Sequence, residues 1–174
     1  MFKIYKGYFP KFPLLVNELM AIVEEQKLIT DIENHSDGQL AIQTHDPAVV
    51  DWRSGIGKSS AKTPEWEHQF NCLQPCLRGS IIEEYLQWLD VPVYRTRIML
   101  ARPKSAYSIH RDYSPRLHLP LITNKQCYFV FKDPAEFVHM PADGQTYWVD
   151  TRQEHTFMNG SLENRLHLVM IVKE

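Results

Sequence analysis

Residues 109–121 read Ile109-His-Arg-Asp-Tyr-Ser-Pro-Arg-Leu-His-Leu-Pro-Leu121. From Arg116 onward the residues alternate strictly, with Arg116, His118 and Pro120 on one side of an extended chain and Leu117, Leu119 and Leu121 on the other. The pattern predicts a strand that gives its leucines to a core and turns Arg116 and His118 toward a cavity. Just upstream, His110 and Asp112 stand at i and i+2, so on an extended backbone their side chains project to the same side.

The same period of two runs through most of the chain after residue 91. Residues 93–101, 116–123, 126–131, 145–149 and 164–172 are apolar or alternating runs rich in Val, Ile, Leu and aromatics. Asn124-Lys125, Asp143-Gly144 and Asn159-Gly160 supply turn signals between them. Earlier in the chain the period is helical. Residues 14–28 carry Leu15, Leu19, Ile22 and Val23 on one face after Pro13, and a second helix starts at Ser80, where Ser80 and Glu83 read as a capping box. Helices followed by antiparallel strands predict an α+β, mostly β protein built on a β-sandwich or small barrel. We expect one domain over 1–174, with 1–90 a helical and loop-rich flank and 91–174 the β core.

Residues 40–44 form a short strand candidate, and 46–64 lack periodicity and read as a loop, an active-site flap. Within it Gly55-Ile56-Gly57-Lys58-Ser59 resembles the end of a phosphate loop, but the first glycine of that motif would fall at position 52, which is Trp52. A nucleotide site is therefore not expected. A net charge of -2 and scattered Lys and Arg exclude a broad surface for nucleic acid, and no apolar run is long enough for a membrane span or secretory signal. We expect no nucleic-acid or membrane partner and a cytoplasmic location. Cys72, Cys76 and Cys127 are too few for a disulfide framework and read as reduced thiols. His68, Cys72 and Cys76 would stack on one face of a helix, but a zinc site there lacks a fourth ligand. The Asn159-Gly160-Ser161 acceptor pattern has no meaning without secretion.

His155 follows His110 by 45 residues, beyond the 145–149 strand, where a folded-back sheet can bring it opposite the first pair. Two imidazoles and one carboxylate make a facial triad that holds Fe(II) and leaves three adjacent positions open for oxygen and a chelating co-substrate. Arg165, at the head of the apolar run 166–172, points a fixed cation into an oily interior with no acidic residue two or four positions away. A buried guanidinium needs a carboxylate or phosphate, and a bound dicarboxylate would satisfy it.

The segment 109–121 together with 144–171 resembles the aspartyl/asparaginyl β-hydroxylase family of 2-oxoglutarate oxygenases, which includes free-proline cis-hydroxylases. The resemblance covers roughly residues 91–172. It implies a double-stranded β-helix, the jelly-roll or cupin core. It further implies His110, Asp112 and His155 as iron ligands, Arg165 on the distal carboxylate of 2-oxoglutarate, and Arg116 and His118 lining the co-substrate pocket. O2 would be the second co-substrate. Some animal members lack the carboxylate ligand, whereas this chain has Asp112, so it resembles the branch with a full triad. Peptide-Asp hydroxylation does not carry across from the animal members, and we expect a hydroxylase acting on a free amino acid or an amino-acid side chain in a peptide.

Taken one at a time these residues have plainer explanations: His110 as a surface-turn histidine, His155 as a turn cap after Glu154, Arg165 as a half-exposed strand arginine. Arg95, Arg97 and Arg102 either form a solvated strand face or include one that grips a substrate carboxylate, and core packing accounts equally for Trp148 and His167. At the level of function the alternatives are a non-catalytic cupin-type module that binds metal or an organic acid, and a cupin-type enzyme that needs no 2-oxoglutarate.

Overall fold

The computed structural model describes residues 2–57 and 63–173. Up to residue 91 the elements are β1 (Phe2–Lys6), α1 (Phe12–Glu25), β2 (Gln39–Ala41), β3 (Gln43–Thr44), α2 (Pro64–Glu67), β4 (Cys72–Leu73) and α3 (Ile81–Trp88). After it come β5 (Val93–Ala101), β6 (Ser105–Ala106), β7 (Arg116–Ile122), β8 (Cys127–Phe131), β9 (Glu136–Val138), β10 (Thr146–Val149), β11 (His155–Asn159) and β12 (Arg165–Val172). All five strand runs expected from the alternation therefore form, within one residue at each end. The helix expected over 14–28 starts two residues earlier and ends three residues earlier, at Glu25, ahead of the turn at Lys27 with φ 54°. Ser80 caps α3, its hydroxyl accepting from Glu83 N, while Glu83 reaches back to the N–H of Gly79.

The strands pair antiparallel into a six-stranded sheet in the order β1-β10-β7-β12-β5-β2 and a four-stranded sheet in the order β6-β11-β8-β9. The segment before residue 91, expected as a flank, supplies both edge strands of the larger sheet. Cys72 lies in strand β4, not on a helix with His68 and Cys76, and those three are not gathered into a metal-binding group among the described residues. Residues 58–62 lie outside the described residues; they include Lys58 and Ser59 of the excluded phosphate-loop pattern and part of the expected flap.

Alternation explains the layering. Leu117, Leu119 and Leu121 of β7, Leu166, Leu168 and Met170 of β12, and Ile98 and Leu100 of β5 all enter one core with Leu15, Leu19, Ile22 and Val23 of α1 and Ile82 and Tyr85 of α3. The helices thus cover the outer face of the six-stranded sheet. On its inner face the same strands present Arg95, Arg97 and Met99, Arg116 and His118, and Arg165 and Val169 to a cavity of about 700 Å³. The four-stranded sheet closes that cavity with His155, Phe129 and Phe157, and a second apolar cluster around Phe129, Phe131 and Phe157 packs between the sheets. All eight residues of β12 are buried because both of its faces are covered.

At the approach to β2, Gly38 has φ 66°, and a Cβ there would sit 2.7 Å from the backbone oxygen of Leu100. Gly38→Ala combines left-handed strain with a clash against an immovable carbonyl, so chemical denaturation should show a loss of about 2 kcal/mol.

Candidate active site

His110 and His155 are brought face to face by backbone pairing: each donates its N–H to the other's carbonyl at 2.9 Å in an isolated antiparallel bridge. One step along, Asp112 N donates to Thr151 O at 2.8 Å. These bonds bind the 110–112 segment to the start of β11, and His110, Asp112 and His155 each offer a ligand atom within 4.8 Å of the others. The two rings are tilted at 54° with centroids 4.4 Å apart.

Each imidazole has one nitrogen already engaged. His110 Nδ1 contacts Ser108 O at 2.7 Å and His155 Nδ1 contacts Gln153 O at 2.8 Å; since a carbonyl only accepts, both Nδ1 atoms carry the proton. That leaves Nε2 as the lone-pair donor on each ring, and His155 Nε2 lies 3.8 Å from Asp112 Oδ2. Burial lowers the His155 pKa, which keeps the ring in the neutral form a metal requires. Phe129 stacks on His155 at 4.8 Å and 17° and fixes the ring plane.

Asp112 is held by Arg116, with Nε to Oδ2 at 3.2 Å and Nη2 to Oδ1 at 3.0 Å. Burial by itself would raise this carboxyl, but the adjacent Arg116 charge and its hydrogen bond outweigh it, and the pKa falls well below the usual carboxylate range. Because the folded-state value is depressed, the associated stability is present above about pH 4 and is lost as the pH falls below it. Arg116 is gripped from behind by Glu67, Nη2 to Oε1 at 2.9 Å, and Glu67 also takes Arg95 Nη1 at 3.0 Å. Only 1% of Glu67 is exposed. Its place follows from a short helix, α2, begun by Thr63 as N-cap, whose side chain accepts from Trp66 N, and by Pro64.

The expected site residues are thus all present in one cavity. His110, Asp112 and His155 converge, and Arg165 and His118 line the same space. Arg116 lines it too, but its guanidinium is largely spent on Asp112 and Glu67, leaving Nη1 without a partner. Glu67 belongs to the site without any signal in the sequence around it. The Thr63-Pro64 pair marks a helix start, but nothing local says that the Glu three residues into it turns inward to two arginines distant in the chain.

Arg165 is buried with its Nε unpartnered and no carboxylate in ion-pair range among the described residues. Its guanidinium lies over the Phe157 ring, 3.6 Å from the centroid, and Nη2 donates to His167 Nδ1. Burial pushes Arg165 down to about 9 and, with the Arg165 charge, drives His118 and His167 well below the ordinary histidine value. Both imidazoles are therefore neutral at pH 7, each with Nε2 unpartnered.

A family model described as aspartyl/asparaginyl beta-hydroxylase matches residues 11–174. The chain belongs to the aspartyl/asparaginyl β-hydroxylase family. As a member of it the protein is a hydroxylase, an enzyme of the dioxygenase class. Similar solved structures include a Pseudomonas putida prolyl-4-hydroxylase (13% identity, 99% of this chain and 92% of that one, TM-score 0.52). AviO1 from Streptomyces viridochromogenes Tue57 is 15% identical over 99% of this chain and 89% of that one, with a TM-score of 0.51. EvdMO1 is 15% identical over 97% of this chain but only 46% of that one, at a TM-score of 0.52. At such identities the likeness is one of fold, and it matches the jelly-roll core expected from the family. No curated protein matches the sequence. No helix among the described residues is long and apolar enough to cross a membrane.

Glu67→Gln leaves two buried arginines short of a countercharge. Denaturant titration should show a loss of about 3 kcal/mol, and competition against a chelator should show divalent-metal affinity reduced about 10- to 100-fold although every ligand is intact.

Proposed function

We propose that this β-hydroxylase family member is an Fe(II)- and 2-oxoglutarate-dependent hydroxylase of a free amino acid or an amino-acid side chain in a peptide. His110, Asp112 and His155 hold the metal and Arg165 binds the distal carboxylate of 2-oxoglutarate. The observation that carries the reading is the convergence of two imidazoles and a carboxylate within 4.8 Å at one end of a cavity between the two sheets. Cis ligand atoms about 2.1 Å from a shared ion lie about 3 Å apart, so His155 Nε2 and Asp112 Oδ2, at 3.8 Å, need to draw in by about 1 Å to share one. The mixed nitrogen and oxygen donors suit a ferrous ion with open positions.

When bound, the iron supplies the oxidising chemistry by which O2 and 2-oxoglutarate become succinate, CO2 and one hydroxyl oxygen on the substrate. The protein's own part is to position and exclude. Ser108 and Gln153 carbonyls fix the imidazole tautomers, and Arg116 keeps Asp112 ionised. Arg165 offers Nε and the rest of its fork to a carboxylate, aimed by the Phe157 face and by a neutral His167 that accepts from it. His118 Nε2 and Arg116 Nη1, both buried and unpartnered, face the same space and suit the oxygens of the co-substrate. Phe129 and Phe157 keep water from the inner wall.

Anaerobic addition of Fe(II) and 2-oxoglutarate should give a visible charge-transfer band, and aerobic incubation should release succinate; loss of both would leave only a binding module. Arg165→Ala should weaken 2-oxoglutarate by about 2 to 5 kcal/mol with metal binding retained, separating this enzyme from a cupin-type one that needs no 2-oxo acid.

A further inference from the structure

Two guanidiniums on the inner face of the six-stranded sheet have no carboxylate partner among the described residues. Arg165 is one, and Arg97, 6% exposed on β5, is the other. Arg97 Nη1 donates to Gln39 Oε1 at 2.6 Å and Nε to the Arg95 carbonyl at 3.3 Å, both neutral acceptors, which leaves Nη2 to the cavity. Its neighbours add to the demand for an anion. Arg95 and Arg116 are positive, and the nearby carboxylates, Glu67 and Asp112, are already committed to those two. A cation removed from water among like charges and neutral acceptors is costly until a negative group arrives.

The other arginines near this strand have settled roles. Arg95 binds Glu67 and the Gly55 carbonyl, and Arg102 donates to the carbonyls of Leu28, Ile29 and His35. Nor does one ligand serve both free cations. Arg97 pairs across the sheet with Val169, and Arg165 lies four residues away on β12, about 13 Å along the strand. His118, Val169 and Arg97 form one row across β7, β12 and β5, which puts Arg97 two strand spacings, about 10 Å, from His118. A diacid seated on Arg165 and the metal leaves Arg97 open on the cavity wall.

The geometry points to Arg97 as the receptor for a carboxylate of the substrate, so that the molecule hydroxylated is a free amino acid and not a residue within a peptide. This rests on the iron and 2-oxoglutarate reading above and narrows it. Gln39 holds one arm of the guanidinium in place, and the remaining N–H groups present a planar fork to the incoming carboxylate.

The test uses the Fe(II)-loaded protein with 2-oxoglutarate and a panel of free L-amino acids, each beside its carboxamide and beside the same residue within a blocked peptide. Succinate release and the mass gain of one oxygen are the readouts. At least one free acid should raise succinate release above the rate without substrate, and its carboxamide should be at least about 100-fold poorer in kcat/KM, since the site is built to pair an anion. Arg97→Gln should raise KM for that acid at least about 30-fold with little movement in KM for 2-oxoglutarate, the reverse of Arg165→Ala. If Arg97→Gln fails to fold, the acid and carboxamide comparison on the unaltered protein decides alone. Succinate release without substrate but no response to any free acid overturns the Arg97 assignment and leaves the co-substrate reading standing; so does equal turnover of acid, carboxamide and blocked peptide. No succinate under any condition and no charge-transfer band overturn both.

Discussion

A guanidinium buried between two β-sheets has to meet negative charge, and this requirement organises the protein's interior. Arg95 and Arg116 converge on one carboxylate oxygen of Glu67, which is almost wholly withdrawn from solvent. Arg116 then passes its charge forward to Asp112, holding that side chain ionised and aimed at the two histidines. The chain from Glu67 through Arg116 to Asp112 joins a four-residue helix, a central strand and the 110–112 segment. Deep burial makes such a network expensive to break, since any member left alone would be a bare charge in a medium of low polarity.

Core and site are two faces of the same strands. The leucines of β7 and β12 fasten the six-stranded sheet to its helices, while the residues between them carry the cavity's charges. A slip of one residue in either strand would put arginines and histidines under the helices and leucines in the cavity, so packing and chemistry enforce one register. The bulge where the register between β12 and β5 shifts near Ile171 lies beside Arg95, whose φ of 47° departs from the strand and lets its side chain reach Glu67.

Much of this was legible in the chain because its signals are local. His110 and Asp112 are neighbours on an extended backbone, Arg165 is a charge heading an apolar run, and the β7 alternation states its own two faces. What escaped was set by distance. Glu67 lies 28 and 49 positions from its two arginines, and nothing in its immediate neighbours signals burial. β1 and β11 are five residues each, so their alternation is too brief to separate from a loop; only the partner strand makes them strands. Three arginines near β5 looked equivalent until their partners were seen, and Arg97 then stood apart.

The backbone bridge between His110 and His155 has a further bearing on how the ion and the fold depend on one another. Main-chain bonds tie the two histidine-bearing segments to each other, so part of the ordering entropy of the site is met by the fold's own hydrogen bonds. An ion held there would stabilise the native state by mass action, in proportion to the logarithm of its free concentration, through side chains whose backbone the bridge already places.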